Sequence, residues 1–85
     1  MYTVILEPST QRDMRRLTKI IHGRILRAVY KLEADPRHQG AKRLIGFEYQ
    51  WRVRVGDYRV LYEIDDDKSQ VHVYRIAHRS EAYRG

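Results

Sequence analysis

The feature that most constrains this chain is a pair of alternating segments within residues 51–64, which meet at Gly56 and Asp57. Glycine reaches positive φ without strain, so this dipeptide suits the two-residue turn of a β-hairpin. Side chains alternate with period two along a strand, which gives the hairpin two chemically different faces. One is an arginine face, which consists of Arg52, Arg54 and Arg59. The other is apolar and consists of Trp51, Val53, Val55, Tyr58, Val60 and Tyr62.

The arginine face places like charges opposite each other. In the register set by this turn, Val55 pairs with Tyr58 and Arg54 pairs with Arg59. Like charges directly opposite destabilise a sheet, by an amount comparable with the roughly 0.2–1 kcal/mol of a good cross-strand pair. The arrangement therefore predicts that this face binds an anion.

The composition supports an anionic partner. The chain has 85 residues, with 17 Lys+Arg against 11 Asp+Glu and a net charge of +6. A chain of this length predicts a single domain over residues 1–85. Basic domains bind phosphate-rich partners favourably through counterion release, and arginine in particular makes forked contacts to phosphate.

Several classes of protein are not supported by the sequence. There is no cysteine, which excludes thiol nucleophiles and fits a reducing cytoplasm. The first residues resemble no secretory signal, and no apolar segment approaches the ~20 residues of a membrane span. Metal-ligand spacing, a glycine-rich phosphate loop and a nucleophile elbow are also absent. We therefore expect a cytoplasmic protein with no membrane partner, metal or cofactor.

The remaining segments predict an α+β fold. Residues 2–7 are typical of a strand, Ser9 or Thr10 can cap a helix, and Asp13 is placed to meet its first-turn amides. Apolar residues at helical spacing follow, and these are Met14, Leu17, Ile21, Ile25, Val29 and Leu32. This periodicity fits either one long helix or two that join near residues 18–19. Pro36 ends the helical region because the residue before a proline avoids helical geometry.

After the helices we expect a loop over residues 36–46, the hairpin, a polar turn over 65–70 and a strand over 71–77. The prediction is thus an N-terminal strand, one or two helices as a helical hairpin, and three antiparallel strands, with the helices packed on one sheet face. Counting straight from Val71 places Arg79 with Val73 and Ala77, whereas a bulge or an early strand end would free it.

The sequence resembles the RelE/ParE superfamily of bacterial and archaeal toxins, and RelE-like messenger-RNA interferases most closely. The resemblance covers essentially the whole chain. The matching segments are Asp35-Pro36, Lys-Arg-Leu-Ile-Gly at 42–46, the hairpin at 52–64, and His-Arg-Ser-Glu-Ala-Tyr at 78–83. It implies a RelE-like fold of the microbial ribonuclease type.

The resemblance also implies a metal-independent endoribonuclease that cleaves messenger RNA in the ribosomal decoding site. There the ribose 2′-hydroxyl attacks the adjacent phosphate and leaves a 2′,3′-cyclic phosphate. The catalytic residues that it implies are Arg59, Arg79, Tyr83 and Arg54, and the RNA-binding residues are Arg52, Lys42, Arg43 and His78.

This sequence departs from the best-known pattern of the family at two positions of the arginine face. Arg52 and Arg54 stand where that pattern has lysines. Arginine stays protonated above pH 12 and is a poor acid or base, so these residues are expected to orient RNA and stabilise charge. Proton transfer then passes to Tyr83, His78, Glu48 or water.

The resemblance implies the ribosome, messenger RNA and an acidic, RelB-like antitoxin as partners, the last in a toxin–antitoxin hetero-oligomer. Two alternatives remain open at this point. One is a ParE-like inhibitor of DNA gyrase, which has the same fold but requires no phosphate clamp. The other is a nonenzymatic module that binds RNA or the ribosome.

Overall fold

The computed structural model describes residues 1–46 and 49–82. Its elements are β1 (Thr3–Leu6), α1 (Pro8–Arg15), α2 (Lys19–Ala34), β2 (Ala41–Arg43), β3 (Gln50–Val55), β4 (Tyr58–Asp65), β5 (Gln70–His78) and α3 (Arg79–Ala82). The strands form one sheet in the order β1-β5-β4-β3-β2. β1 runs parallel to β5, and the other neighbours are antiparallel. The predicted α+β architecture is confirmed.

The helical region consists of two helices. α1 ends at Arg15 and α2 begins at Lys19, with Thr18 as its N-cap. The Thr18 hydroxyl accepts a hydrogen bond from the Ile21 amide at 3.4 Å, which satisfies one of the free donors of the first turn. This cap decides between the one-helix and two-helix alternatives that periodicity left open.

The predicted caps of the first helix are wrong. α1 begins at Pro8, whose fixed φ suits the first helical position, and its N-cap Glu7 makes no side-chain cap. The Ser9 and Thr10 hydroxyls instead donate to the carbonyls of Tyr74 and Val73, at 2.6 and 2.7 Å. The Tyr74 carbonyl needs this partner because β1 pairs only as far as Val73, whose carbonyl also accepts from the Glu7 amide at 2.9 Å.

Asp13 also contacts β5 and not the amides of its own helix. Its carboxylate accepts a hydrogen bond from the Ile76 amide at 2.9 Å. Side chains of α1 thus satisfy the backbone of β5 beyond the end of β1.

The segment between α2 and the hairpin contains a strand that the sequence did not indicate. β2 pairs with β3 and gives four antiparallel strands where three were expected. Without β2, the outer backbone groups of β3 would lie at an open sheet edge. The strand has only three residues, too few for a visible alternation.

The core lies between the two helices and the apolar face of the hairpin, as the alternation predicts. Its buried members are Met14, Ile25, Val29, Leu32, Val53, Val60, Tyr62, Ile64, Val71, Val73 and Ile76. Tyr62 satisfies its hydroxyl by donating to the Pro36 carbonyl at 2.6 Å, and burial raises the pKa of this phenol. Among the helices formed by the described residues, none has the length and apolar character of a bilayer span.

Candidate active site

The hairpin has the register that its turn predicts. Val55 pairs with Tyr58 and Arg54 with Arg59, and Gly56 has φ of 58°. The Arg54 guanidinium donates from Nε to the Gly56 carbonyl at 3.2 Å. The turn therefore orients Arg54, and the register places Arg54 and Arg59 opposite each other on adjacent strands.

The neighbouring strand β2 adds a lysine to the arginine face. Lys42 pairs with Arg52 and consequently shares its face, whereas Arg43 pairs with Trp51 and lies on the opposite face. Of the two basic residues predicted to bind RNA in this segment, the register places Lys42 beside the arginine face and Arg43 away from it.

Arg59 differs from the other members of the arginine face because it is almost completely buried. It is 3% exposed, and its strand neighbour Ala77 is 1% exposed. One guanidinium nitrogen donates to the Tyr58 carbonyl at 3.4 Å. A phosphate therefore reaches Arg59 only after the groups that cover it move.

A β-bulge in β5 brings Arg75 onto the arginine face. Leu61 pairs with Arg75, but the next residue, Tyr62, pairs with Val73, so Tyr74 is the extra residue. A bulge shifts the alternation by one residue and redirects the side chains beyond it. Sequence reasoning missed Arg75 because an unbulged strand places it with Val71 and Val73 in the core.

The same bulge resolves the position of Arg79. β5 ends at His78, and Arg79 is the exposed first residue of α3. Its amide donates to the Asp57 carbonyl at 2.7 Å, which attaches the start of α3 to the hairpin turn. A second attachment is the ion pair between Arg75 and Glu81, at 2.6 Å.

His78 lies on the other side of the sheet from the arginine face. It pairs with Tyr58, and their rings meet edge-on with centroids 5.3 Å apart. Its Nδ1 lies 3.0 Å from the Ser80 hydroxyl. Two further predicted residues, Tyr83 and Glu48, lie outside the described residues.

The sheet face that bears the arginines is basic at the hairpin turn and acidic at its other end. The far end of the face that bears the arginines presents Glu63 and His72, and His72 pairs with Glu7 at 2.8 Å. A groove of about 760 Å³ there is lined by five carboxylates, those of Glu7, Glu63, Asp65, Asp66 and Asp67. An anion therefore meets favourable charge at the hairpin turn and repulsion at the other end.

The chemistry available at the hairpin end is cationic. Lys42, Arg52, Arg54, Arg59 and Arg75 share the face, with Arg79 at its border. Such groups bind a phosphate and stabilise developing negative charge, but none is a good proton acceptor at neutral pH. Within residues 1–46 and 49–82, no group of three or more potential metal ligands occurs.

Comparison with known proteins identifies the family. Residues 4–83 match the family described as ParE toxin of the type II toxin–antitoxin system parDE. Toxin RelE of Mycobacterium tuberculosis H37Rv is 34% identical over 84 residues, which are 98% of this chain and 87% of that protein. This chain belongs to the RelE/ParE family of type II toxins.

Other relatives agree with this assignment. Toxin RelG of the same organism is 33% identical over 84 residues, which are 98% of this toxin and 97% of RelG. The crystal structure of the M. tuberculosis toxin–antitoxin complex RelBE2 contains a chain with a TM-score of 0.81 and 30% identity, matched over 92% of this toxin and 98% of that chain.

Structures of more distant relatives show the same fold. The isolated Escherichia coli RelE toxin superimposes with a TM-score of 0.82 at 21% identity, over 98% of this toxin and 92% of that chain. The RelE-like architecture expected from the sequence is thereby confirmed.

Proposed function

We propose that this toxin is a ribosome-dependent endoribonuclease that cleaves messenger RNA in the decoding site. The observation that supports the proposal most directly is the cluster of cations around one hairpin turn. Arg54 and Arg59 face each other, and Arg79 is attached to the same turn through Asp57. Three guanidinium groups around one turn can hold a phosphate through forked, charge-assisted hydrogen bonds.

The proposed reaction is an intramolecular transfer within the RNA. The 2′-hydroxyl oxygen bonds to the adjacent phosphorus and loses its proton to a base, while the bond to the 5′-oxygen breaks and that oxygen gains a proton. The products are a 2′,3′-cyclic phosphate and a 5′-hydroxyl. The pentacoordinate intermediate has extra negative charge, which Arg54, Arg59 and Arg79 stabilise.

Proton transfer in this proposal is assigned to groups other than the arginines. The candidates are Tyr83, Glu48, His78 and water. The orientation of His78 toward Tyr58, on the opposite sheet face, makes it the weakest of the three side chains. Because Arg59 is 3% exposed, substrate binding also includes a step that uncovers it.

The proposal includes an antitoxin that holds the toxin inactive. Related chains of about 30% and 25% identity are crystallised in RelBE2 and archaeal RelE–RelB complexes. An acidic segment of a RelB-like antitoxin would complement the arginine face, since opposite potentials favour association.

The deciding experiment adds the pure toxin, free of antitoxin, to ribosomes programmed with a defined messenger. We expect cleavage within the decoding site and a product that ends in a 2′,3′-cyclic phosphate. Intact messenger under these conditions would refute the proposal.

Gyrase inhibition is the second candidate, and the match to the ParE family supports it. It predicts loss of gyrase supercoiling at toxin concentrations that leave ribosome-bound messenger intact. A supercoiling assay run beside the cleavage assay therefore separates the two functions. The cation cluster at the hairpin turn favours the nuclease, because inhibition through a protein interface requires no phosphate clamp.

A further inference from the structure

A second basic surface lies on the other side of the hairpin turn. The α2 groove is a space of about 430 Å³ between α2 and the end of β3, and it is lined by Arg24, Arg27, Lys31, His38, Arg54 and Gly56 among others. Its described lining contains four permanently charged cations and no carboxylate. This surface extends beyond the arginine face, with which it shares Arg54, and was not indicated by the alternation of the hairpin.

The cations of α2 form one continuous row. Arg24, Arg27 and Lys31 follow helical spacing, so they project from the same side of the helix, while Ile25 and Val29 enter the core. The ion pairs found among the described residues are Arg37–Asp66, His72–Glu7 and Arg75–Glu81. None of them neutralises this row.

The turn connects the groove to the arginine face. A side chain at Gly56 would meet the Arg24 guanidinium at 3.5 Å, which shows how closely that cation approaches the turn. On the other side, Arg54 donates to the Gly56 carbonyl. Cationic groups thus continue from the arginine face, past Gly56, into the groove.

His38 adds a hydrogen-bond donor to the groove. Its Nδ1 accepts a bond from the Gly40 amide at 3.0 Å, so in the neutral ring the proton is on Nε2. That Nε2 is buried and has no hydrogen-bond partner among the described residues. Buried donors are nearly always hydrogen-bonded, so a ligand oxygen that reaches this nitrogen would find a donor without a described partner.

We infer that the cations of α2 in this groove bind the phosphate backbone of an RNA strand beyond the cleavage site, which the groove meets at Arg54. The inference rests on the proposed function, because the RNA reaches the groove by the same hairpin turn. From Arg24 to Lys31 the helix rises by about 10 Å, the length of about three stacked nucleotides. Two guanidinium groups and one ammonium group at this spacing are suited to successive phosphates.

The test compares two triple variants with equal loss of charge. The groove variant is R24Q/R27Q/K31Q, and its control is R12Q/R15Q/K19Q, which removes exposed cations that do not line the groove. Both are first checked by thermal unfolding. Binding to a 2′-O-methylated single-stranded RNA, which cannot be cleaved, is then measured by fluorescence anisotropy across a salt series.

We expect the groove variant to lose about 2 from the slope of log K against log salt, since each single-strand phosphate contact contributes about 0.7. Its affinity at about 50 mM salt falls at least tenfold relative to the control. Equal losses in the two variants would overturn the inference, because the effect would then be one of net charge.

A parallel arm uses 30S subunits without messenger and distinguishes the source of the phosphates. Loss of subunit binding in the groove variant, together with its loss of RNA-oligomer binding, supports the inference and assigns the groove to ribosomal RNA, whereas oligomer binding equal to that of the control overturns it. Binding to a polyglutamate peptide is measured in the same way. If the groove variant loses binding to this peptide but keeps binding to RNA, the inference is refuted and the groove is assigned to an acidic protein. Cleavage by the unmodified toxin is scored separately, so failure of the proposed function is distinguishable from failure of this inference.

Discussion

Arg59 illustrates how one residue can be both a predicted catalytic group and part of the folded interior. Its place opposite Arg54 follows from turn chemistry, but its burial at 3% exposure does not follow from any pattern in the sequence. Burial restricts the side chain to few rotamers, which lowers the entropy lost when a transition state is bound.

Replacing Arg59 by lysine is therefore an informative change. The variant keeps the charge but loses the planar fork, and we expect single-turnover cleavage on ribosomes to slow about 100-fold. Arg52→Lys is the matched control and should change the rate less than tenfold, because Arg52 is expected to orient RNA. Similar rates for both variants would remove the assigned role of Arg59.

Thr10 supports the site through the backbone of β5. It is fully buried and its hydroxyl donates to the Val73 carbonyl at 2.7 Å, next to the bulge. Thr10→Val removes one of the two hydrogen bonds that this carbonyl accepts, the other coming from the Glu7 amide at 2.9 Å, and should lower the free energy of unfolding by about 0.5–1.5 kcal/mol. Urea unfolding measures the change, with Thr10→Ser as the variant that keeps the bond. Equal losses in the two variants would show that packing, and not the hydrogen bond, explains the effect.

At the level of elements, the position of α3 depends on few contacts. A helix of four residues has little stability of its own, so its attachments to the sheet decide how often it is formed. They include the Arg79 amide bond to Asp57, the Arg75–Glu81 ion pair and the contact of Ser80 with His78.

The ion pair can be tested as a double-mutant cycle. We expect Arg75→Gln and Glu81→Gln each to speed hydrogen exchange at the Arg79 amide by up to about fivefold, as an exposed pair contributes up to about 1 kcal/mol. The double variant should exchange no faster than either single variant. Additive effects would mean that the two side chains act independently.

The elements predicted correctly from the sequence are those with a repeated signal or a specific turn. Gly56 and Asp57 set the hairpin register, and the apolar spacing from Met14 to Leu32 identified the helical face. The features that the sequence did not predict leave no repeated pattern. The bulge at Tyr74 shifts the alternation of side chains in β5 by one residue. β2 has only three residues, which is too short to show an alternation.

The positions of several site residues also depend on features that no repeated sequence pattern reveals. Lys42 and Arg75 reach the arginine face through strand pairing and a bulge, which only the tertiary structure reveals. His78 was expected with the RNA-binding residues and lies beside Tyr58 instead. Hydrogen bonds from Ser9 and Thr10 to β5 replaced the predicted helix caps, because local propensity does not include partners distant in sequence.

In the molecule as a whole, one polar cluster joins segments that are far apart in the chain. Arg37 makes two hydrogen bonds to the Asp66 carboxylate, at 3.0 and 2.8 Å, and Tyr2 donates to the same group at 2.6 Å. Arg37 also lies over the Trp51 ring, 5.6 Å from its centroid. The cluster links the residue before β1, the loop before β2 and the β4–β5 turn.

This cluster predicts a dependence of stability on pH. Hydrogen bonds from Arg37 and then Tyr2 lower the pKa of Asp66 from its usual 3.8 to about 2. Because the folded-state pKa is depressed, the stabilisation is complete above about pH 4 and is lost as the pH falls through about 2. Asp66→Asn should reduce the difference in melting temperature between pH 5 and pH 2.5. An unchanged difference would exclude Asp66 as a contributor.

The parallel pairing of β1 with β5 has a consequence for synthesis of the toxin. Thr3 pairs with Gln70, so the first strand finds its partner only when the last strand has been made. Contacts between such distant residues form late and slow folding. The strand that supplies Arg75 and positions Arg79 is also the strand that completes the sheet. A nascent chain therefore lacks an assembled cation cluster until β5 has emerged from the ribosome, even when the whole hairpin is already available to fold.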